Sequence, residues 1–405
     1  MENERLVISG IGFFSSMGCD KEKLWDEIVK SQVMPEPYSK VADKNLASCK
    51  AYEMEGHVSS DEYITNRKIK RLAEFSKMLC CAVNFALEDA GISKENEDYV
   101  PERVGSIVNT VHGPMEVTFA YLDDLLTTGP ATARPIYFQQ TVNNVACGQA
   151  AIENQLKGVS STIVGASSIA YAIDLLHKGN TDAVVVGGLE ELYPYMYASY
   201  SKRDMLAVDK GDGEQSVPFS DKANGIVLGE GAGVVILETY ESAKRRNAHI
   251  YAEILNESVV TDEMYCKTFD EFTPGKSTGF YRAMEAVLRR SNVSAEDVDF
   301  ISLAANSYKK TDDCEKEAIE KLFSKNEQLG YVASKAIFGE TLGASEVMAV
   351  ISALMCMEKN QVPGLKYLSE NNIHSCDDNV EMCLVNSMFV GGNVNSLLLR
   401  KCKGE

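Results

Sequence analysis

The stretch from Gly158 to Glu191, GVSSTIVGASSIAYAIDLLHKGNTDAVVVGGLEE, constrains this chain more than any other. Ser161 to Val164 is a run of β-branched and small residues and predicts a strand. It meets Gly165-Ala166-Ser167, a sharp turn, and then Ile169, Ala172, Ile173 and Leu176 recur at helical spacing up to Gly179. Asp182 to Val186 reads as a second, buried strand. A strand that turns abruptly into a helix is the frame on which a nucleophile is commonly presented, which makes Ser167 the first candidate for chemistry.

A chain of 405 residues exceeds one ordinary core, so one large α/β domain or two fused halves are expected. The net charge of −19 and the short, scattered basic clusters (Lys68 to Arg71, Lys244 to Arg246, Arg289-Arg290) make nucleic acid and anionic membrane poor partners. No apolar run is long enough to span a bilayer. The eleven cysteines, Cys266 among them, show no paired spacing, and with no signal peptide at the start a reducing cytoplasm is the expected location. The histidines are far apart in sequence, and neither a metal site nor a cofactor is expected.

In chain order, Leu6 to Gly12 predicts a buried strand, Lys21 to Lys30 a short amphipathic helix, and residues 31–59 an excursion without periodicity. Lys68 to Ala90 reads as one long helix capped by Gly91, Val104 to Asn109 as a strand, and Met115 to Leu126 and Asn144 to Leu156 as helices. Cys147 lies on an apolar helical face and reads as packing. Gly225, Gly229, Gly231 and Gly233 alternate with β-branched residues, which favours close backbone approach over a phosphate cradle because no Lys-Ser/Thr follows. Strands at 250–255, 298–303 and 331–334, helices at 279–290, 312–323 and 342–357, and a closing hairpin around Gly391-Gly392 complete the reading.

Leu6 to Gly18 (LVISGIGFFSSMG), Gly187-Gly188-Leu189-Glu190, Pro218 to Leu237 (PFSDKANGIVLGEGAGVVIL), Lys335 followed by Gly339, and Asn386 to Leu397 (NSMFVGGNVNSL) together resemble the successive blocks of the β-ketoacyl synthases. The resemblance implies the thiolase fold: two βαβαβαββ halves, here 1–240 and 241–405, stacked in five α-β-α-β-α layers and paired with a second such subunit. A condensing enzyme of this kind uses a thiolate to take the acyl chain and two histidines to decarboxylate the extender and stabilise the enolate. In this chain Ala304-Ala305-Asn306 stands at the first histidine block and Gly339-Glu340 at the second. Counting forward from Gly158 puts Ser167 at the cysteine position, and counting back from Gly179 puts Thr162 there.

Lys335, Glu315 and the glycine blocks remain, so the pattern resembles a chain-length factor, although the Gln that such subunits carry at the cysteine position is absent. The resemblance implies a non-catalytic subunit that pairs with an active ketosynthase α subunit in type II polyketide, polyene or fatty acid elongation and caps its acyl tunnel. The capping residues are expected on the helix after the 104–109 strand: Met115, Val117, Thr118, Phe119, Tyr121 and Leu122. An acyl carrier protein is expected to dock mainly through the partner, because carrier proteins of such systems are acidic and so is this chain. Two other readings stand beside it: an acyltransferase or hydrolase using Ser167, and a non-enzymatic homodimeric scaffold.

Overall fold

The computed structural model describes residues 4–41, 46–93, 96, 100–131, 133–262, 271–369, 374–376 and 379–402. In the first part of the chain β1 (Leu6–Ser15), α1 (Lys21–Lys30), α2 (Glu74–Asp89), β2 (Val104–Thr110), α3 (Met115–Thr128), α4 (Pro135–Phe138) and α5 (Val145–Asn154) follow one another. Next come β3 (Ser160–Val164), α6 (Ser168–His177), β4 (Ala183–Glu190), α7 (Pro194–Lys202), β5 (Gly231–Thr239) and α8 (Tyr240–Arg245). The remainder holds β6 (Ala252–Thr261), α9 (Gly279–Ser291), β7 (Phe300–Ser302), α10 (Lys309–Leu322) and β8 (Gly330–Val332). It ends with α11 (Lys335–Phe338), α12 (Ser345–Lys359), β9 (Met382–Met388) and β10 (Asn393–Arg400).

The strands lie in the order β8-β7-β9-β10-β6-β1-β5-β4-β2-β3. β1 pairs antiparallel with β5, β5 antiparallel with β4, and β4 and β2 continue in parallel to β3 at the edge. The second set repeats this: β6 with β10 and β10 with β9 are antiparallel, and β9, β7 and β8 are parallel. Leu6, Val7 and Ile8 of β1 pair with β6 and join the two sets. β2, β4 and β5 are buried along their whole length, as their runs of Val, Ile and Ala require of strands covered on both faces.

Three apolar clusters show why the sheets are covered twice. One gathers α2 and α5 against the outer face of the first set, and another gathers α9 and α10 against the outer face of the second. Between the sets lies a third, built from α6 and α12 with residues of both. α12 is buried at every position from Ser345 to Met357, the signature of a helix enclosed on all sides. Helix, sheet, helix, sheet, helix is the five-layered thiolase fold.

The glycine run packs backbone on backbone. A Cβ on Gly229 would stand 2.0 Å from the Phe338 carbonyl oxygen, and one on Gly188 2.1 Å from that of Gly343, so neither position admits a side chain. The helix read over 68–90 divides: a single turn at Ile69–Arg71 is followed by extended Leu72 and Ala73, and α2 begins at Glu74. The break is held by Gln140, whose side-chain oxygen accepts the Ala73 amide at 2.5 Å. The cysteines among the described residues are free thiols, and Cys266 lies outside those residues. Among the described residues no cluster of metal-ligating side chains exists and no helix is long and apolar enough to cross a membrane.

Candidate functional site

The turn between β3 and α6 is tight because Gly165 adopts φ +61°. Ser167 follows as the N-cap of α6, its Oγ accepting the Ala170 amide at 3.0 Å. The same oxygen donates to Glu346 Oε1 at 2.5 Å and accepts from Asn395 Nδ2 at 3.1 Å. A hydroxyl has one proton and two lone pairs, and all three are engaged. Thr162 stands within β3, opposite Val108 of β2, and its buried Oγ1 has no hydrogen-bond partner among the described residues. The turn therefore presents Ser167, and Thr162 lies back in the strand.

The loop after β7 carries Ala304, Ala305 and Asn306. The Glu315 carboxyl accepts the amides of Ala304 and Ala305 at 3.0 and 2.7 Å, and Asp312 accepts that of Asn306 at 2.9 Å. Burial pushes Asp312 up to about 7, the amides of Phe219 and Asn306 pulling it back only in part, and raises Glu315 as well. Lys335, at the start of α11, donates to the Ala304 carbonyl at 2.7 Å and pairs with Glu340 Oε2 at 2.9 Å. Glu340 also accepts from Asn306 Nδ2, from the Leu342 amide and from Ser345 Oγ, at 2.9, 3.0 and 2.6 Å. Burial alone would lift the Glu340 carboxyl, but the Lys335 cation and the Ser345 and Asn306 donors outweigh it and hold it below its ordinary range.

These positions, far apart in sequence, converge on the first turn of α12. Ser345 binds Glu340 and the next residue, Glu346, binds Ser167. Two buried polar groups thus meet at adjacent residues, Ser167 with Glu346 and Asn395 on one side and Glu340 with Lys335, Asn306 and Ser345 on the other, and Lys335 and Glu340 neutralise each other. Glu346 and Asn395 were not singled out in the sequence. An acid in the first turn of a helix ordinarily faces solvent, and Asn395 is one polar residue in an alternating strand.

The proposed capping helix α3 lies at the edge of this region. Its first turn is held by Glu191, which accepts the Glu116 amide at 2.7 Å and which burial pushes up to about 8. Val117 is buried and Met115 half-buried against the cluster that contains Ala304. Thr118 turns its hydroxyl back onto the Pro114 carbonyl at 2.6 Å. Phe119 stacks on Tyr193 at 4.8 Å, Tyr121 meets Phe138 at 5.7 Å, and Leu122 is exposed. The six candidates thus do not share one lining: two point inward and the others form an aromatic, partly open face with α4 and the start of α7.

Comparison with known proteins agrees with this architecture. The family model "Beta-ketoacyl synthase, N-terminal domain" matches residues 3–243 and "Beta-ketoacyl synthase, C-terminal domain" matches residues 251–367. A 3-oxoacyl-[acyl-carrier-protein] synthase 2 of Rhizobium meliloti is 26% identical, covering 99% of this chain and 100% of the relative. Among solved structures, the ishigamide ketosynthase/chain length factor superposes with a TM-score of 0.86 at 22% identity, over 99% of this chain and 100% of that one. A type II polyketide synthase acyl-carrier protein in complex with its ketosynthase bound to the hexaketide gives 0.85 at 20% identity, over 99% and 100%. With both family models matched in order and the fold shared from end to end, the chain belongs to the β-ketoacyl synthase family.

Proposed function

We propose that this chain is a non-catalytic subunit that pairs with an active β-ketoacyl-ACP synthase in type II polyketide, polyene or fatty acid elongation, stabilising it and shaping its acyl tunnel. The observation that carries the reading is the hydrogen bonding at the three family positions. Ser167 is a fully engaged helix cap, Ala304 has no functional side chain, and Glu340 is locked to Lys335. None of these groups is free to accept an acyl chain or to polarise a thioester.

A partner is supported by what remains uncovered. Most of the large apolar side chains that stand exposed among the described residues fall between Leu122 and Tyr195, including Leu126 at 83%, Ile136, Phe138, Ile152 and Val164. Val164 lies in β3 and Val159 just before it, and β3 is the last strand of the sheet among the described residues. Exposed apolar side chains on a strand at the sheet's edge favour a protein partner. The acidic surface, net −19, directs an acidic carrier protein to the other subunit.

Co-expression with the cognate ketosynthase followed by native mass measurement tests the reading. A one-to-one heterodimer is expected, and a homodimer that ignores the ketosynthase would overturn it in favour of the scaffold. The Ser167 acyltransferase or hydrolase has its own readout, covalent acylation of the isolated chain by an acyl carrier protein thioester that Ser167→Ala abolishes.

A further inference from the structure

The N-terminal end of α6 is already occupied. Glu346 reaches it from α12, and its Oε2 accepts the Ser168 amide at 3.1 Å and the Ser168 hydroxyl at 3.4 Å. Its Oε1 accepts the Ser167 hydroxyl at 2.5 Å and Asn395 Nδ2 at 2.8 Å, and the Ile169 amide adds a further hydrogen bond. Two carboxyl oxygens offer about four lone-pair sites, so these donors saturate the group. A ten-residue helix with its first amides directed at a carboxyl has the geometry of an anion site.

A second observation shows that the surroundings, and not the helix end alone, are shaped for a carboxyl group. Asn395 is 1% exposed, and its Nδ2 is shared between Ser167 and Glu346. Its Oδ1 has no hydrogen-bond partner among the described residues. A buried side-chain donor shared between the helix cap and the carboxyl, its own oxygen unpartnered, extends the site beyond the amides of the helix. We propose that this turn is a carboxyl-binding site whose ligand is the protein's own Glu346, so that the opening a condensing subunit would offer to an acyl group is closed here from within. Removing the Glu346 side chain creates a polar space that takes a small carboxylic acid, acetate or propionate.

The inference concerns the isolated chain and does not require the partner subunit. In Glu346→Gly, thermal denaturation is expected several degrees lower than in the native chain. Acetate should restore the loss saturably, while chloride at equal ionic strength does not and the native chain is unmoved. Equal shifts of variant and native chain by acetate would overturn the site. Ser167→Cys supplies an independent measurement. Its thiol should resist iodoacetamide in the folded protein, and adding Glu346→Gly should speed alkylation by about tenfold or more, with acetate slowing it again. If Glu346→Gly does not fold, the single Ser167→Cys variant decides: protection supports closure, and labelling at the rate of an exposed thiol refutes it.

Discussion

Lys335 and Glu340 face each other at 2.9 Å with 4% and 1% of their side chains exposed. A pair this deep is held by its mutual charge and its extra donors, and losing one member strands the other. Lys335→Met is expected to cost about 3–5 kcal/mol in denaturant unfolding, and pairing it with Glu340→Leu should recover a large part. Other buried carboxyls act in the opposite direction. Burial lifts Glu191 to about 8, and Glu230 and Asp312 each to about 7. Above the ordinary carboxylate value the unfolded chain releases these protons while the folded chain keeps them, so the folded state binds more protons and stability falls as pH rises. The window runs from about 4.5 to about 8, and beyond it both states are ionised. Unfolding free energy should drop by at least ~1 kcal/mol between pH 5.5 and 8.5, and Glu191→Gln should flatten the slope; a pH-independent midpoint would contradict the assignment.

At the scale of elements, α3 is the helix whose side chains the partner is expected to meet. Phe119→Ala removes a stack on Tyr193 worth about 0.5–1.5 kcal/mol and opens the face beside it. In the reconstituted pair the product distribution should shift to longer chains, and unchanged lengths would remove α3 as the gate. The helix itself was legible from Met115 onward because its pattern is local. So were β1, β4, β5 and α12, whose apolar runs leave no choice but burial. What escaped the sequence depends on distant neighbours. α2 begins at Glu74 and not near Lys68 because Gln140 takes the Ala73 amide. α7 went unread, since PYMYASYSK carries little amphipathic pattern. Nothing local marks Glu346, and only the stacking of α12 against α6 turns it onto another helix's N-terminus. Ala304 and Glu340 could be picked out by counting along the chain, whereas the hydrogen-bond partners around them could not.

For the whole molecule, the second five strands repeat the pairing of the first, and β3 and β8 are the two edges of the sheet among the described residues. The edges differ in their company. β3 lies among exposed Ile152, Val159 and Val164, which is the face assigned to the partner. Val164→Lys should abolish co-purification with the ketosynthase while changing the isolated chain's stability by less than about 0.5 kcal/mol; retained pairing would place the interface elsewhere. Ser345 and Glu346 are adjacent and tie both polar groups to one turn of α12. A histidine at 340 would remove the counter-ion of Lys335, and a cysteine at 167 would have Glu346 seated against its thiol. Substitutions at 167 and 340 are therefore coupled through that turn, although the two positions lie far apart in sequence.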